Sequence, residues 1–222
     1  MTMKLYELAG ADASCRFSQH CWRVRLVLHH KGLAWESVPW RFTEKDAIAF
    51  AGTQKVPVLV DGDQVVHDSW TIVQYLEDTY PDTPSVFGDR VARAEAAFFR
   101  HWTERVVQAG MAPMIIHPIY ERLHEKDKSY FRETREKRFG RSLEEVARES
   151  EDRLPAFRES LAPLRATVEQ QSFVAGETPM IPDYLLYAAF LWVRHGSGME
   201  LLEEGDPVAA RRQRMDEATR GA

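Results

Sequence analysis

Residues 56–66 read VPVLVDGDQVV, two apolar runs around Asp61-Gly62-Asp63. A two-sided apolar pattern interrupted by Asp-Gly is a strong short-range hairpin signal, so these two strands pair antiparallel. Asp68 and Ser69 follow at once, and both residue types cap helices. Beyond them Ile72, Val73, Leu76 and Tyr80 form a helical stripe that Pro81 stops. Upstream, KLYEL (4–8) is short and β-compatible. Cys21, Val24, Val27 and Leu28 then keep the three-and-four spacing of a helix face, with Gly32 where a C-terminal cap belongs. AWESVPW (34–40) reads as a second strand. Pro39 cannot donate a ladder hydrogen bond, which places this strand at a sheet edge, and the helical crossover makes it parallel to the first.

The order is therefore βαβ, then ββα, the order of a thioredoxin-like α/β domain over residues 1–80. TYPDTPSVFGD (79–89) is rich in turn formers and gives a linker at 81–89. No convincing strand follows. Phe98, Phe99, Trp102, Val106 and Ala109 predict a long amphipathic helix, and DYLLYAAFLWV (183–193), apolar nearly all round, predicts a buried central one. Pro155 and Pro163 should start or kink helices. Residues 121–153 hold twenty charged residues, ten of each sign. Balanced charge of this kind is most simply the solvated face of helices, not a binding patch. Residues 90–222 thus form an all-helical domain.

FSQHCWR (17–23) puts Ser18 and Cys21 three apart at the head of a helix, the spacing of a thiol redox pair with the first sulfur replaced by a hydroxyl. Ser18 is explained equally well as an N-cap, and Cys21 as core packing on the Val24/Leu28 face. A sharper reading has the Ser18 hydroxyl and the helix N-terminus stabilising the thiolate of a bound ligand. Lowering a thiol pKa from about 8.5 by ~2 units needs roughly 2.7 kcal/mol. One hydrogen bond to an ion supplies about 1.5–3 kcal/mol, and the helix end ~0.3–1. Val56-Pro57 is open to two readings. It is either an ordinary trans proline opening a strand, or a cis-proline turning the Val56 backbone outward toward a peptide-like ligand. Asp68 and Ser69 are either a plain cap or a receptor for a zwitterionic amino-acid head, whose carboxylate would meet the helix N-terminus while Asp68 takes the ammonium.

The remaining composition narrows the field. The chain has 222 residues, 44% of them apolar, and a net charge of −5. That balance argues for a folded protein and against a nucleic-acid binder. No apolar run approaches a membrane span, and MTMKLYELAGADAS lacks the apolar core of a signal peptide. With two cysteines, Cys15 and Cys21, a reducing cytoplasm is the simplest home. The eight histidines show no metal-ligand spacing, and no metal is expected. Gly-rich phosphate loops and nucleophile elbows are missing.

Taken in order, FSQHCWRVRLVLHHKGL, QKVPVLVDGD, HDSWTIVQYLEDTYPD and GETPMIPDYLLYAAFLW resemble the cytosolic glutathione transferases over essentially the whole chain. Within that superfamily S-x-x-C-W-R, KGL, PWRF, SLEEV and EDRLP resemble the serine-type bacterial β-etherase-like and fungal branch. The zeta class, which also carries S-x-x-x-W-R, is the nearest rival. The resemblance implies that Ser18 hydrogen-bonds the sulfur of glutathione, used as cosubstrate. It implies that Val56, before Pro57, pairs with the cysteinyl backbone, and that Asp68 and Ser69 hold the γ-glutamyl head. Lys55 or Lys45 would neutralise the glycyl carboxylate. Trp102, Met111, Ile115 and Tyr120 would wall a pocket for a small hydrophobic, aromatic electrophile. The implied activity is a glutathione transferase, extending to β-aryl ether cleavage. A zeta-like glutathione-dependent isomerase and a non-catalytic glutathione-binding module are the alternatives. A homodimer is implied, with no nucleic-acid or membrane partner. Three features depart from the family pattern: Gln19-His20 after the serine, Met180 where a capping hydroxyl usually precedes Asp183, and an Arg-rich stretch after Gly205.

Overall fold

The computed structural model describes residues 2–222; Met1, the first residue of the expected first domain, lies outside the described residues. Strand β1 (Met3–Leu8) leads to helix α1 (Gln19–His30) and strand β2 (Trp35–Trp40). A 3-10 segment at Lys45–Ala51 precedes β3 (Val58–Asp61), β4 (Gln64–His67) and α2 (Ser69–Thr79). The sheet order is β2-β1-β3-β4, with β1 and β2 parallel and the β3/β4 hairpin antiparallel in register Val58–His67 to Asp61–Gln64. Pro39 sits on the edge strand β2, where a missing donor is harmless. Gly32 takes φ +65 just past α1. There its N–H donates to the His29 carbonyl and the Leu33 N–H to that of Leu28, a Schellman end that only glycine enters without strain.

The rest is helical: α3 (Arg90–Trp102), α4 (Gln108–Glu121), α5 (Glu125–Phe139), α6 (Leu143–Arg148), α7 (Ser150–Ser160), α8 (Ala162–Val168), α9 (Ile181–Gly196) and α10 (Pro207–Ala218). The long helix expected around residue 100 is α3 and α4, joined through a π-helical turn at Thr103–Val107. Its apolar residues do not all face inward: Phe98 is 68% exposed and Val91 62%. Pro155 falls inside α7, and Pro163 falls in the first turn of α8, where its missing N–H costs nothing. As expected, α9 is buried along most of its length. It docks against α1, where Trp22 stacks on His195 at 5.1 Å and His30 Nδ1 meets the Tyr184 hydroxyl at 2.6 Å.

Asp183 explains how α9 begins without a capping hydroxyl. Its fully buried carboxylate accepts N–H groups from Val174 (2.8 Å), Ala175 (3.2 Å) and Met180 (3.3 Å). The counter-charge is Arg211 of α10, equally buried, whose Nη2 donates to Asp183 Oδ1 at 2.7 Å. The Arg-rich stretch is therefore an ordered helix with one arginine locked into the core. No helix among the described residues is long and apolar enough to cross a membrane.

Candidate functional site

The carboxyl ends of the two parallel strands, Leu8 and Trp40, open on a cavity of about 230 Å³ between the sheet and helices α4 and α5. A dry cavity near 150 Å³ accommodates benzene, so the apolar part of this volume suits one substituted ring. One side is polar and comes from the first domain: Ser18, Gln19 and His20 at the head of α1, then Gln54, Lys55 and Val56 before β3. The opposite wall is apolar. Phe17, Phe42, Ala112, Ile116, Ile119, Phe131, Phe139 and Trp192 form most of it.

Ser18 is the N-cap of α1, its Oγ accepting the Cys21 N–H at 3.4 Å. The cap does not exclude the ligand reading, because capping uses an oxygen lone pair and leaves the hydroxyl proton available as a donor. Cys21 is not on the cavity wall. It is fully buried, its Sγ accepts the Leu8 N–H at 3.5 Å, and burial pushes its thiol up to about 12. Such a thiol is inert at neutral pH. In the native protein Cys21 should resist alkylation by iodoacetamide and react only after unfolding; rapid native labelling at Cys21, seen by peptide mass, would contradict the placement.

The Val56–Pro57 peptide is cis, and Val56 lines the cavity with Lys55 beside it. Lys45 is not on the wall, but its Nζ lies 5.1 Å from the centre of the ring of Tyr130, which is. Asp68 and Ser69 do not line the cavity wall; they flank it beyond His20. Asp68 caps α2, its Oδ1 accepting from Trp70 N and Thr71 N, both at 3.0 Å. Partial burial pushes its carboxyl up, but those bonds outweigh it and hold the group below its ordinary value. Among the described non-glycine residues Asp68 alone has positive φ, +70. That strain, on the order of 1–3 kcal/mol, is typical of ligand-binding positions. Ser69 is buried and its Oγ accepts from Arg23 Nη1 at 3.1 Å.

Four pocket residues expected from the sequence are not on the wall. Met111 and Ile115 are fully buried in the core, Tyr120 lies against Arg132 (4.6 Å from its ring centre), and Trp102 packs partly buried against that core without reaching the wall. Ala112, Ile116 and Ile119 line the cavity instead, the adjacent stripe of the same helix. The charged segment 121–153 also needs correction. It is solvated on one face, but Tyr130, Phe131, Arg135, Arg138 and Phe139 of α5 turn into the cavity. The spacing Phe131, Arg135, Arg138, Phe139 is a single helix face, a signal present in the sequence. α5 is held over the site by buried Asp127, which accepts from Thr43 N (3.0 Å) and Thr43 Oγ1 (2.8 Å).

Arg23 and His20 were also unforeseen as site residues. Arg23, buried in α1, spans from Ser69 to Glu104 Oε1 (3.1 Å) in the π-helical turn, bolting the two domains together beside the site. His20 lies 3.5 Å from Ser69 Oγ, and desolvation, helped by Arg23, pushes its imidazole down to about 4. The unfolded chain therefore binds this proton near pH 6.5 and the folded chain only near 4. The stabilisation is fully present above pH 6.5 and is lost as the pH falls through that window, by up to about 3 kcal/mol. His20→Gln should flatten this part of the stability–pH curve in urea melts; an unchanged acid limb would contradict the assignment.

The profile described as "Glutathione S-transferase, N-terminal domain" matches residues 13–84, and that described as "Glutathione S-transferase, C-terminal domain" matches residues 94–214. The chain belongs to the glutathione S-transferase family. It is 37% identical over 98 residues to glutathione S-transferase Z2 of Arabidopsis thaliana, covering 41% of each chain. It is 36% identical over 117 residues to a zeta-class glutathione S-transferase of Euphorbia esula, covering 50% of this chain and 47% of that one. The chain thus spans about half or less of the length of these relatives. Among solved structures, glutathione transferase GSTFuA3 of Phanerochaete chrysosporium superposes with a TM-score of 0.89 at 25% identity, covering 100% of this chain and 98% of that one.

Proposed function

We propose that the protein is a glutathione transferase that binds glutathione along the polar side of the cavity and conjugates it to an aromatic electrophile held against the apolar side. One observation carries this reading: the Ser18 hydroxyl, at the N-terminus of α1, faces the same cavity as Val56, Lys55 and the aromatic wall. The tripeptide would run from Asp68 and Ser69 through the Val56 backbone to Lys55, with its sulfur at Ser18. The hydroxyl proton and the α1 dipole then stabilise the thiolate, so the nucleophile exists at neutral pH. Cys21 takes no part, since it is fully buried and off the cavity wall. The test is conjugation and thiolytic ether cleavage over a panel of aryl halides and β-aryl ethers. Glutathione-dependent turnover supports the reading; glutathione binding with no turnover anywhere on the panel would demote the chain to a binding module.

We propose also that two chains associate through the face of α3 that carries Val91 and Phe98, seven residues apart on one helix and both exposed. Large apolar side chains gathered on one surface are costly to leave in water. Light scattering should give twice 25.6 kDa, and Phe98→Glu should halve it.

A further inference from the structure

The cavity differs in charge from the chain that builds it. The protein carries a net charge of −5, yet its cavity is lined by Lys55, Arg135 and Arg138 and by no carboxylate. α5 sorts its arginines by face. Arg132, outward, is neutralised by Glu136 (2.8 Å) and Glu144 (2.7 Å). Arg135, inward, has as its polar partner only the neighbouring Thr134 hydroxyl at 2.9 Å among the described residues. Its guanidinium sits 4.5 Å from the centre of the Phe131 ring and 5.2 Å from that of Phe42. Desolvation without a nearby counter-charge pulls it below the ordinary arginine value. A planar fork seated among aromatic faces suits a flat guest that carries its own anion: the fork takes a carboxylate bidentate and the rings stack.

We propose that the electrophile is a single aromatic ring bearing a carboxylate or similar anion, its anion docked on Arg135 and its ring against the Ile116, Ile119 and Trp192 part of the wall. This rests on the transferase reading. Lys55, beside Val56, is left for the tripeptide's own carboxylate, and Arg138 at the exposed rim draws anions toward the opening. In the reaction the glutathione sulfur forms a C–S bond at an activated ring carbon. The halide leaves with the electron pair of the broken carbon–halogen bond, and the thiol proton passes to solvent.

The experiment compares 4-chloro-3,5-dinitrobenzoate with its neutral amide, each rate corrected for the uncatalysed reaction. The wild-type protein should favour the carboxylate in kcat/KM by about 10- to 100-fold, the range of a hydrogen-bonded charge pair. Arg135→Met should collapse that ratio at least tenfold, and Arg135→Lys, which keeps charge but loses the fork, should fall between. In a calorimeter, the glutathione conjugate of the carboxylate should bind wild type at least tenfold more tightly than that of the amide. Equal rates and equal conjugate affinities in wild type would overturn the proposal without the need for any variant. A loss of glutathione affinity in Arg135→Met as large as the loss for the conjugate would assign Arg135 to the tripeptide and also overturn it. Absent turnover with the conjugate preference intact would sink the transferase reading and leave only an anion subsite at Arg135.

Discussion

Ser18→Ala should lower kcat/KM for conjugation by about 10- to 100-fold at neutral pH, the worth of one hydrogen bond to a thiolate. The direction with pH is fixed. Without the hydroxyl donor the bound thiol's pKa rises, so the pH–rate profile moves to higher pH and the two proteins converge in alkali. Ser18 also caps α1, so alanine removes a cap worth about 1 kcal/mol, whereas glycine at that position costs only a few tenths. Ser18→Gly separates the two roles. It should melt close to wild type and yet be as slow as Ser18→Ala. Equal rates in all three proteins would remove Ser18 from the chemistry.

Arg211→Met should be the most destabilising change outside the core's large apolar residues, at about 3–5 kcal/mol, because it strands the Asp183 carboxylate in the interior. Three backbone donors still reach that carboxylate, but no other counter-charge is in ion-pair range among the described residues. Arg212→Met is the control on the same helix. Its pair with Glu200 is partly exposed, and its loss should cost no more than about 1 kcal/mol. In the double variant Asp183→Asn/Arg211→Met the cost should be well below the sum of the single ones, since a neutral amide keeps several of the bonds without a buried charge. Urea unfolding of wild type, Asp183→Asn, Arg211→Met, Arg212→Met and the double variant decides it. If Arg211→Met costs no more than Arg212→Met, the pair does not anchor α9.

These expectations differ in how visible they were in the sequence. The sheet could be read because its signals are local. Asp61-Gly62-Asp63 makes the hairpin, Pro39 makes an edge, and Gly32 ends α1 at a backbone angle few other residues tolerate. Ser18 and Val56 were legible for the same reason, each lying next to a helix start or a strand start. The cavity's far wall was not. Neighbouring helix residues point about 100° apart, so α4 offers both a Met111/Ile115 stripe and an Ala112/Ile116/Ile119 stripe. Only the placement of the sheet decides which is core and which is wall. α5 hid its role behind balanced charge: counting signs over 33 residues averages the paired Arg132 with the unpaired Arg135, though the spacing of Phe131, Arg135 and Phe139 was there to be seen. Asp183 and Arg211 lie 28 residues apart, and no periodicity links them.

The most direct measurement is titration of the bound thiol itself, by the ultraviolet absorbance of its thiolate in the complex of glutathione with the protein. The account predicts an apparent pKa about 2 units below that of free glutathione in wild type, and a return most of the way to the free value in Ser18→Ala. A bound thiol that titrates like the free one, or a lowered value that survives removal of the hydroxyl, would contradict it.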